Sequence, residues 1–281
     1  MIDADRFDEL AGGLNHPEGV AWDPFGDRVV AGGEGGEIYT VTLEGEVAVV
    51  GSTGGSMLGL AVDGRGRVYA CDEGHGEIAR WDPATKEITT YARGVGGEDM
   101  DCPNVAAFGP DGALYVTCSG EAGRPEILRI APGGEPVQRW SDAVPGYPNG
   151  ALVTPDGSAL IVVEAHAQRL VRVAIQADGS AGDVSVIASL PDTDADGVAL
   201  AADGSLWVTL YRPDGLVRIA PEGTVEVVFD DHLAQTFDAP TNIAWVGAAV
   251  DRVVVANVGD TFLSIGDVGV LGRPLHYPVF D

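Results

Sequence analysis

The sequence predicts an all-β fold: a six-bladed β-propeller with four antiparallel strands per blade, its ring closed by an N-terminal strand. Three observations predict it. A short stretch recurs six times, centred on Glu18, Leu58, Asn104, Asn149, Asp196 and Thr241. Subtraction gives spacings of 40, 46, 45, 47 and 45 residues, the length of a four-stranded blade. Between these points the chain is a series of short Val-, Ile- and Tyr-rich runs divided by Gly, Asp and Pro, the pattern of strands and tight turns. Nowhere does it offer a convincing amphipathic helix.

The elements follow in order. Blade one reads as strands at 19–23, 28–31, 37–43 and 46–51, and blade two at 59–63, 67–71, 77–82 and 87–92. Asp-Gly pairs at 63–64, 111–112, 156–157 and 203–204 mark the hairpin between first and second strands. Second strands align as Val30-Ala31-Gly32, Tyr69-Ala70-Cys71, Val116-Thr117-Cys118, Val162-Val163-Glu164, Val208-Thr209-Leu210 and Val255-Ala256-Asn257. The sixth repeat ends after its third strand, with only a tail at 272–278 where a fourth would stand. Residues 6–10 are expected to supply that outer strand, which zips the ring shut and leaves only short, protected edges. Six such units use nearly all 281 positions, so a single domain over 1–281 is expected.

Composition narrows the function. Hydrophobic residues make up 45% and glycines number 40, so the chain is globular and turn-rich. Sixteen Lys and Arg stand against 43 Asp and Glu, a net charge of −27. Such a surface repels nucleic acid and anionic membrane and attracts cations, and it also serves solubility. No apolar run approaches the ~20 residues of a membrane span, and the acidic first ten residues do not read as a secretory signal. Cys71, Cys102 and Cys118 are odd in number and far apart, which suits reduced thiols in the cytoplasm. A cytoplasmic protein acting on a small molecule is expected, with its oligomeric state left open.

In a propeller the first strand of each blade lies nearest the central channel. Glu18, Asn104, Asn149 and Asp196 would therefore converge, while Leu58 and Thr241 add no charge. Two carboxylates and two amide carbonyls form an all-oxygen set. That chemistry favours one divalent cation, calcium first, with magnesium or manganese as alternatives and zinc a poorer one. Calcium takes 6–8 oxygens, so about two to four positions would remain for water and substrate. The competing reading has these residues satisfying one another and bound water.

The stretches Pro17-Glu18-Gly19-Val20-Ala21-Trp22-Asp23, Tyr147-Pro148-Asn149-Gly150 and Asp194-Ala195-Asp196-Gly197-Val198-Ala199 resemble the senescence-marker-protein/gluconolactonase/regucalcin-like family. The likeness runs in order over essentially the whole chain, to Gly272-Arg273-Pro274-Leu275-His276-Tyr277-Pro278. It implies a six-bladed propeller with one catalytic divalent cation on Glu18, Asn149 and Asp196, Asn104 being a further ligand or substrate contact. It also implies lactone hydrolysis, with organophosphate hydrolysis in some relatives, and favours Asp196 as general base. Regucalcin-type members often carry Arg two residues before the position that is Asn104 here. This chain has Cys102, which removes a sugar-hydroxyl or carboxylate contact.

Other features compete for a role. Residues 192–203 imitate an EF-hand loop but lack the flanking helices that motif needs. The five histidines have no zinc spacing, though His16 and His166 could line the channel mouth. Glu34, Asp72, Glu73, Ser119, Glu164, Tyr211 and Asn257 follow the second strands on the same side of the ring. Among them Glu164 and Tyr211 rank first, because their blades also supply Asn149 and Asp196. Asn104, Cys102, His16, Glu164 and Tyr211 are thus the expected substrate contacts. Three function classes fit: a metal-dependent lactonase, a phosphotriesterase-like hydrolase on the same cation, and a non-catalytic calcium-binding propeller.

Overall fold

The computed structural model describes residues 1–280, and its 24 strands form six four-stranded antiparallel sheets. Helix is confined to three short 3-10 turns at Ala4–Arg6, Glu73–His75 and Val95–Gly97. The inner strands of blades one to six are Val20–Asp23, Met57–Val62, Pro103–Phe108, Pro148–Val153, Asp194–Leu200 and Pro240–Val246. Each packs on the next, and the sixth packs on the first, so the ring is closed.

Burial explains why the pattern reads as it does. A middle strand is covered on both faces by neighbouring blades, so Val68–Asp72 and Leu114–Cys118 are buried at every position. Such strands are continuous apolar runs, not alternating ones. The outer strand Val47–Ser52 faces water and has no buried position. The turns between first and second strands share one device. Asp23, Asp63, Asp111, Asp156 and Asp203 each accept, on a side-chain oxygen, the backbone N–H two residues on, at 2.9–3.1 Å. At Asp111, Asp156 and Asp203 the following glycine has a positive φ, which only a residue without Cβ adopts at no cost.

Blade six is completed by Phe7–Gly12, which pairs antiparallel with Phe262–Gly266. This is the closing strand expected at residues 6–10, displaced by one or two residues. Phe7 is buried and reaches past its own sheet, with its ring 5.2 Å from Phe229 and 4.9 Å from Phe237. Closure is therefore held by side-chain packing as well as by the ladder.

The tail from residue 272 stands in for no strand. It crosses the end of the channel opposite the six convergent positions and touches every blade. The Arg273 N–H donates to Leu200 O at 2.9 Å, and the Gly272 N–H to Val250 O at 2.7 Å. A ring nitrogen of His276 lies 2.9 Å from Thr154 O. The Gly64 N–H donates to Pro278 O and Arg67 to Phe280 O, each at 2.9 Å. Tyr277 packs edge-on against Phe25, and Phe280 against Phe108 and Tyr69. Beneath the tail lies a small cavity of about 80 Å³, walled by apolar inner-strand residues.

If Phe7 holds the ring closed, Phe7→Ala should cost about 3–5 kcal/mol of stability in equilibrium denaturant unfolding. A loss below ~1 kcal/mol would show that the ladder alone closes the ring.

Candidate functional site

Two backbone devices aim the polar side chains into the channel. The first is a bulge in the inner strand. Pairing with the second strand slips between Met57 and Leu60, Pro103 and Val105, Pro148 and Ala151, Ala195 and Val198, and Pro240 and Ile243. Leu58, Asn104, Asn149, Asp196 and Thr241 all sit within these slips, and a bulge re-aims the side chain it carries. The second is a left-handed residue followed by proline. His16, Cys102, Tyr147 and Ala239 have φ of 43°, 56°, 62° and 47°, and each precedes a proline. Each lies two residues before a convergent position. Holding a non-glycine residue there costs roughly 1–2 kcal/mol, so four strained corners mark this end of the ring.

The inner strands approach closely here. A Cβ on Gly150 would lie 2.2 Å from Asp196 O, and one on Gly197 would lie 2.6 Å from Thr241 O. Glycine after the polar residue is thus what lets the blades meet. Hydroxyls then bridge blade to blade. Thr117 donates to Asn149 O at 2.8 Å, Thr241 to Glu18 O at 2.7 Å and Ser119 to Pro148 O at 3.0 Å. Thr209 reaches Thr241 O in the same way.

Glu18, Asn104, Asn149 and Asp196 line one cavity of about 480 Å³. The Asn149 amide donates to Asp196 Oδ2 at 3.2 Å, and the Asn104 amide donates to Ser119 Oγ at 3.0 Å. Their other oxygens are idle: Asn104 Oδ1, Asn149 Oδ1 and Asp196 Oδ1 are buried and accept no hydrogen bond. Among the described residues, no group of three or more His, Cys, Asp or Glu stands at metal-binding spacing. This ring offers two carboxylates and two carboxamides instead.

Burial raises the Asp196 pKa to about 7, against the opposing pull of the Asn149 amide. Glu18 is raised well above the ordinary carboxylate range by burial first, then by the charges of Asp196, Glu73 and Glu121. Two carboxyls so placed resist joint ionisation unless a positive charge joins them.

The same wall holds Leu58, Glu73, Cys102, Glu121, Tyr147, His166, Asp194, Tyr211 and Thr241. Cys102 and Tyr211 thus stand beside the cavity as expected from sequence. His16 and Glu164 are not on its wall. His16 turns a ring nitrogen to Val258 O at 2.9 Å. Glu164 is only 1% exposed, with one oxygen 2.6 Å from Arg169 Nε and the other accepting the Gly146 N–H at 2.9 Å. It braces the loop that presents Tyr147. Ser119 lies behind Asn104, and the decoy loop at 192–203 enters the strand Asp194–Leu200, with no helix beside it. Glu121 and Tyr147 were not anticipated. Tyr147 had one sequence signal, its place two residues before Asn149, the offset that Cys102 has from Asn104.

The family model for the SMP-30/gluconolactonase/LRE-like region matches residues 16–258. A gluconolactonase from Xanthomonas campestris superposes with a TM-score of 0.78 at 22% identity, over 93% of this chain and 89% of its own. The calcium-binding protein regucalcin from Agrobacterium tumefaciens superposes with a TM-score of 0.77 at 20% identity, over 97% and 98%. These likenesses establish the fold. Among curated proteins, strictosidine synthase-like 3 of Arabidopsis thaliana is 25% identical over 178 residues, 57% of this chain and 42% of that protein. The chain therefore spans less than half the length of that relative.

Without metal, the raised carboxyl of Asp196 makes stability depend on pH. An unfolded aspartate titrates near ~4, so the folded state is favoured below that pH and loses the advantage as pH rises through about 7. Metal-free Asp196→Asn should then melt above the wild type at pH 8, and the gap should narrow markedly by pH 5, closing only below about pH 4. Parallel melting curves at both pH values would refute the shift.

Proposed function

The chain belongs to the SMP-30/gluconolactonase/LRE-like family, and on that premise we propose that it is a divalent-metal-dependent lactone hydrolase. The observation that carries the reading is the three idle, buried oxygens of Asn104, Asn149 and Asp196 beside the Glu18 carboxylate. A buried oxygen without a partner costs about 1–3 kcal/mol. A hard cation relieves all of them at once, and an all-oxygen set with two negative charges suits calcium best. Glu18, Asn104, Asn149 and Asp196 are the residues assigned to hold it. The Agrobacterium protein is calcium-binding and the Xanthomonas protein is a gluconolactonase, which supports that assignment.

When bound, such a cation supplies Lewis-acid polarisation of a carbonyl and lowers the pKa of water. The chain supplies the remainder. Asp196, with a pKa near neutrality before any cation joins it, is assigned as general base. It takes a proton as water oxygen bonds to the lactone carbonyl carbon. It returns that proton to the ring oxygen as the carbon–oxygen bond breaks, leaving a hydroxy acid. The Asn149 amide holds Asp196 Oδ2 at 3.2 Å, which fixes the carboxylate plane and leaves Oδ1 without a partner. Glu18 is anchored by its backbone, its carbonyl accepting from Thr241 and from the Asn242 N–H, so its role is to hold charge in place.

Asp196→Asn should keep the circular-dichroism spectrum and lose turnover by about 10²–10⁴-fold. Exhaustive chelation of the wild type should abolish hydrolysis, and added calcium should restore it. The assay is a panel of aldonolactones, aliphatic lactones and aryl phosphotriesters. Activity untouched by chelation would overturn the metal assignment, and turnover of phosphotriesters alone would move the enzyme to the rival hydrolase class.

A further inference from the structure

Five carboxylates line the cavity: Glu18, Glu73, Glu121, Asp194 and Asp196. Among the described residues no Lys or Arg shares that wall, and His166, stacked on Tyr147 at 4.6 Å, is its only basic side chain. A divalent cation on Glu18 and Asp196 would balance those two and leave Glu73, Glu121 and Asp194. None of these three forms an ion pair among the described residues. Elsewhere the chain spends its few arginines on carboxylates, as in Arg169–Glu164, Arg93–Glu77 and Arg139–Glu126. Many carboxylates of so acidic a chain lack an ion pair; what sets these three apart is that they share one cavity wall with no Lys or Arg. Glu73 and Glu121 lie within each other's field, since the Glu73 pKa is raised by burial first and by Glu121 next. The oxygens of Asn104, Asn149 and Asp196 that have no hydrogen-bond partner belong to residues more than nine-tenths buried that line the same cavity, which marks it as built for a ligand.

We propose that Glu73, Glu121 and Asp194 select a lactone that carries an ammonium group and turn away lactones that carry an anion. This rests on the lactonase reading. The cavity, about 480 Å³, has room for a small ring with such a substituent. Tyr147 adds an aromatic ring on which an alkylammonium can rest. Ring opening adds a carboxylate and leaves a zwitterion of no net charge, so the wall that draws the cationic substrate in holds the product less tightly.

The test uses three non-hydrolysable lactams of matched size, bearing an amino, a hydroxyl or a carboxylate group. Their binding to the calcium-loaded protein is measured by titration calorimetry at low and high salt. The amino lactam should bind about tenfold tighter than the hydroxyl form at low salt, and the carboxylate form about tenfold weaker. Both gaps should shrink at high salt and in Glu73→Gln/Asp194→Asn. Equal binding of the amino and carboxylate lactams, or a preference unmoved by salt and by the double substitution, overturns the proposal. So does a second calcium per chain that the double variant loses, because the carboxylates would then serve a metal. If the expected binding order holds while no lactone is hydrolysed, the lactonase reading fails and the recognition stands.

Discussion

The near-contact of six inner strands at one end of the ring is the constraint from which the site follows. At four of the six positions the approach needs a missing side chain: a Cβ on Gly19, Gly59, Gly150 or Gly197 would lie 2.0–2.7 Å from a carbonyl oxygen of the next strand. Once the strands are that near, hydroxyls such as Thr117 and Thr241 span from one blade to the carbonyl of the next. Those bridges fix the carbonyls of Asn149 and Glu18. The bulges then set the direction of the side chains. Convergence of residues more than 170 positions apart is thus a property of the backbone before it is a property of any functional group.

Such a site is costly to the fold. Left-handed corners at His16, Cys102, Tyr147 and Ala239, unpartnered oxygens and neighbouring carboxylates all oppose folding. The offset lies between the blades, in apolar clusters such as that of Tyr69, Leu114, Val116 and Leu128, and in aromatic contacts at the seam around Phe7. Strain is tolerated at the channel mouth because the body of each sheet is buried on two faces. Local rules broken in one place and kept everywhere else mark a region shaped for binding.

Most of the architecture was legible because each blade repeats one solution to one packing problem. The expected second and third strands of blade two, 67–71 and 77–82, match Val68–Asp72 and Glu77–Asp82 almost residue for residue. Glu18, Asn104, Asn149 and Asp196 were legible as a set for the same reason, since equal positions in equal repeats must converge. The wall was less so. Glu121 sits on a connection that differs between blades, where no repeat fixes the position, and Tyr147 holds a repeated place whose residue type changes from blade to blade (His16, Cys102, Ala239). His16 and Glu164 had the right place in the repeat, but their side chains found other partners, Val258 and Arg169. The tail was legible only as a segment that does not continue the repeat, because the sequence does not reveal which end of the channel it crosses.

The strand at Phe7–Gly12 also sets an order of events. During synthesis it leaves the ribosome about 250 residues before its partner at Phe262–Gly266. Throughout that interval it cannot reach its final place. Nascent blades one to five must stand as an open arc with an unpaired rim, the geometry most prone to wrongful pairing with other chains. Asp3, Asp5, Asp8 and Glu9 crowd that waiting segment with negative charge, which keeps it in water until the wheel can shut.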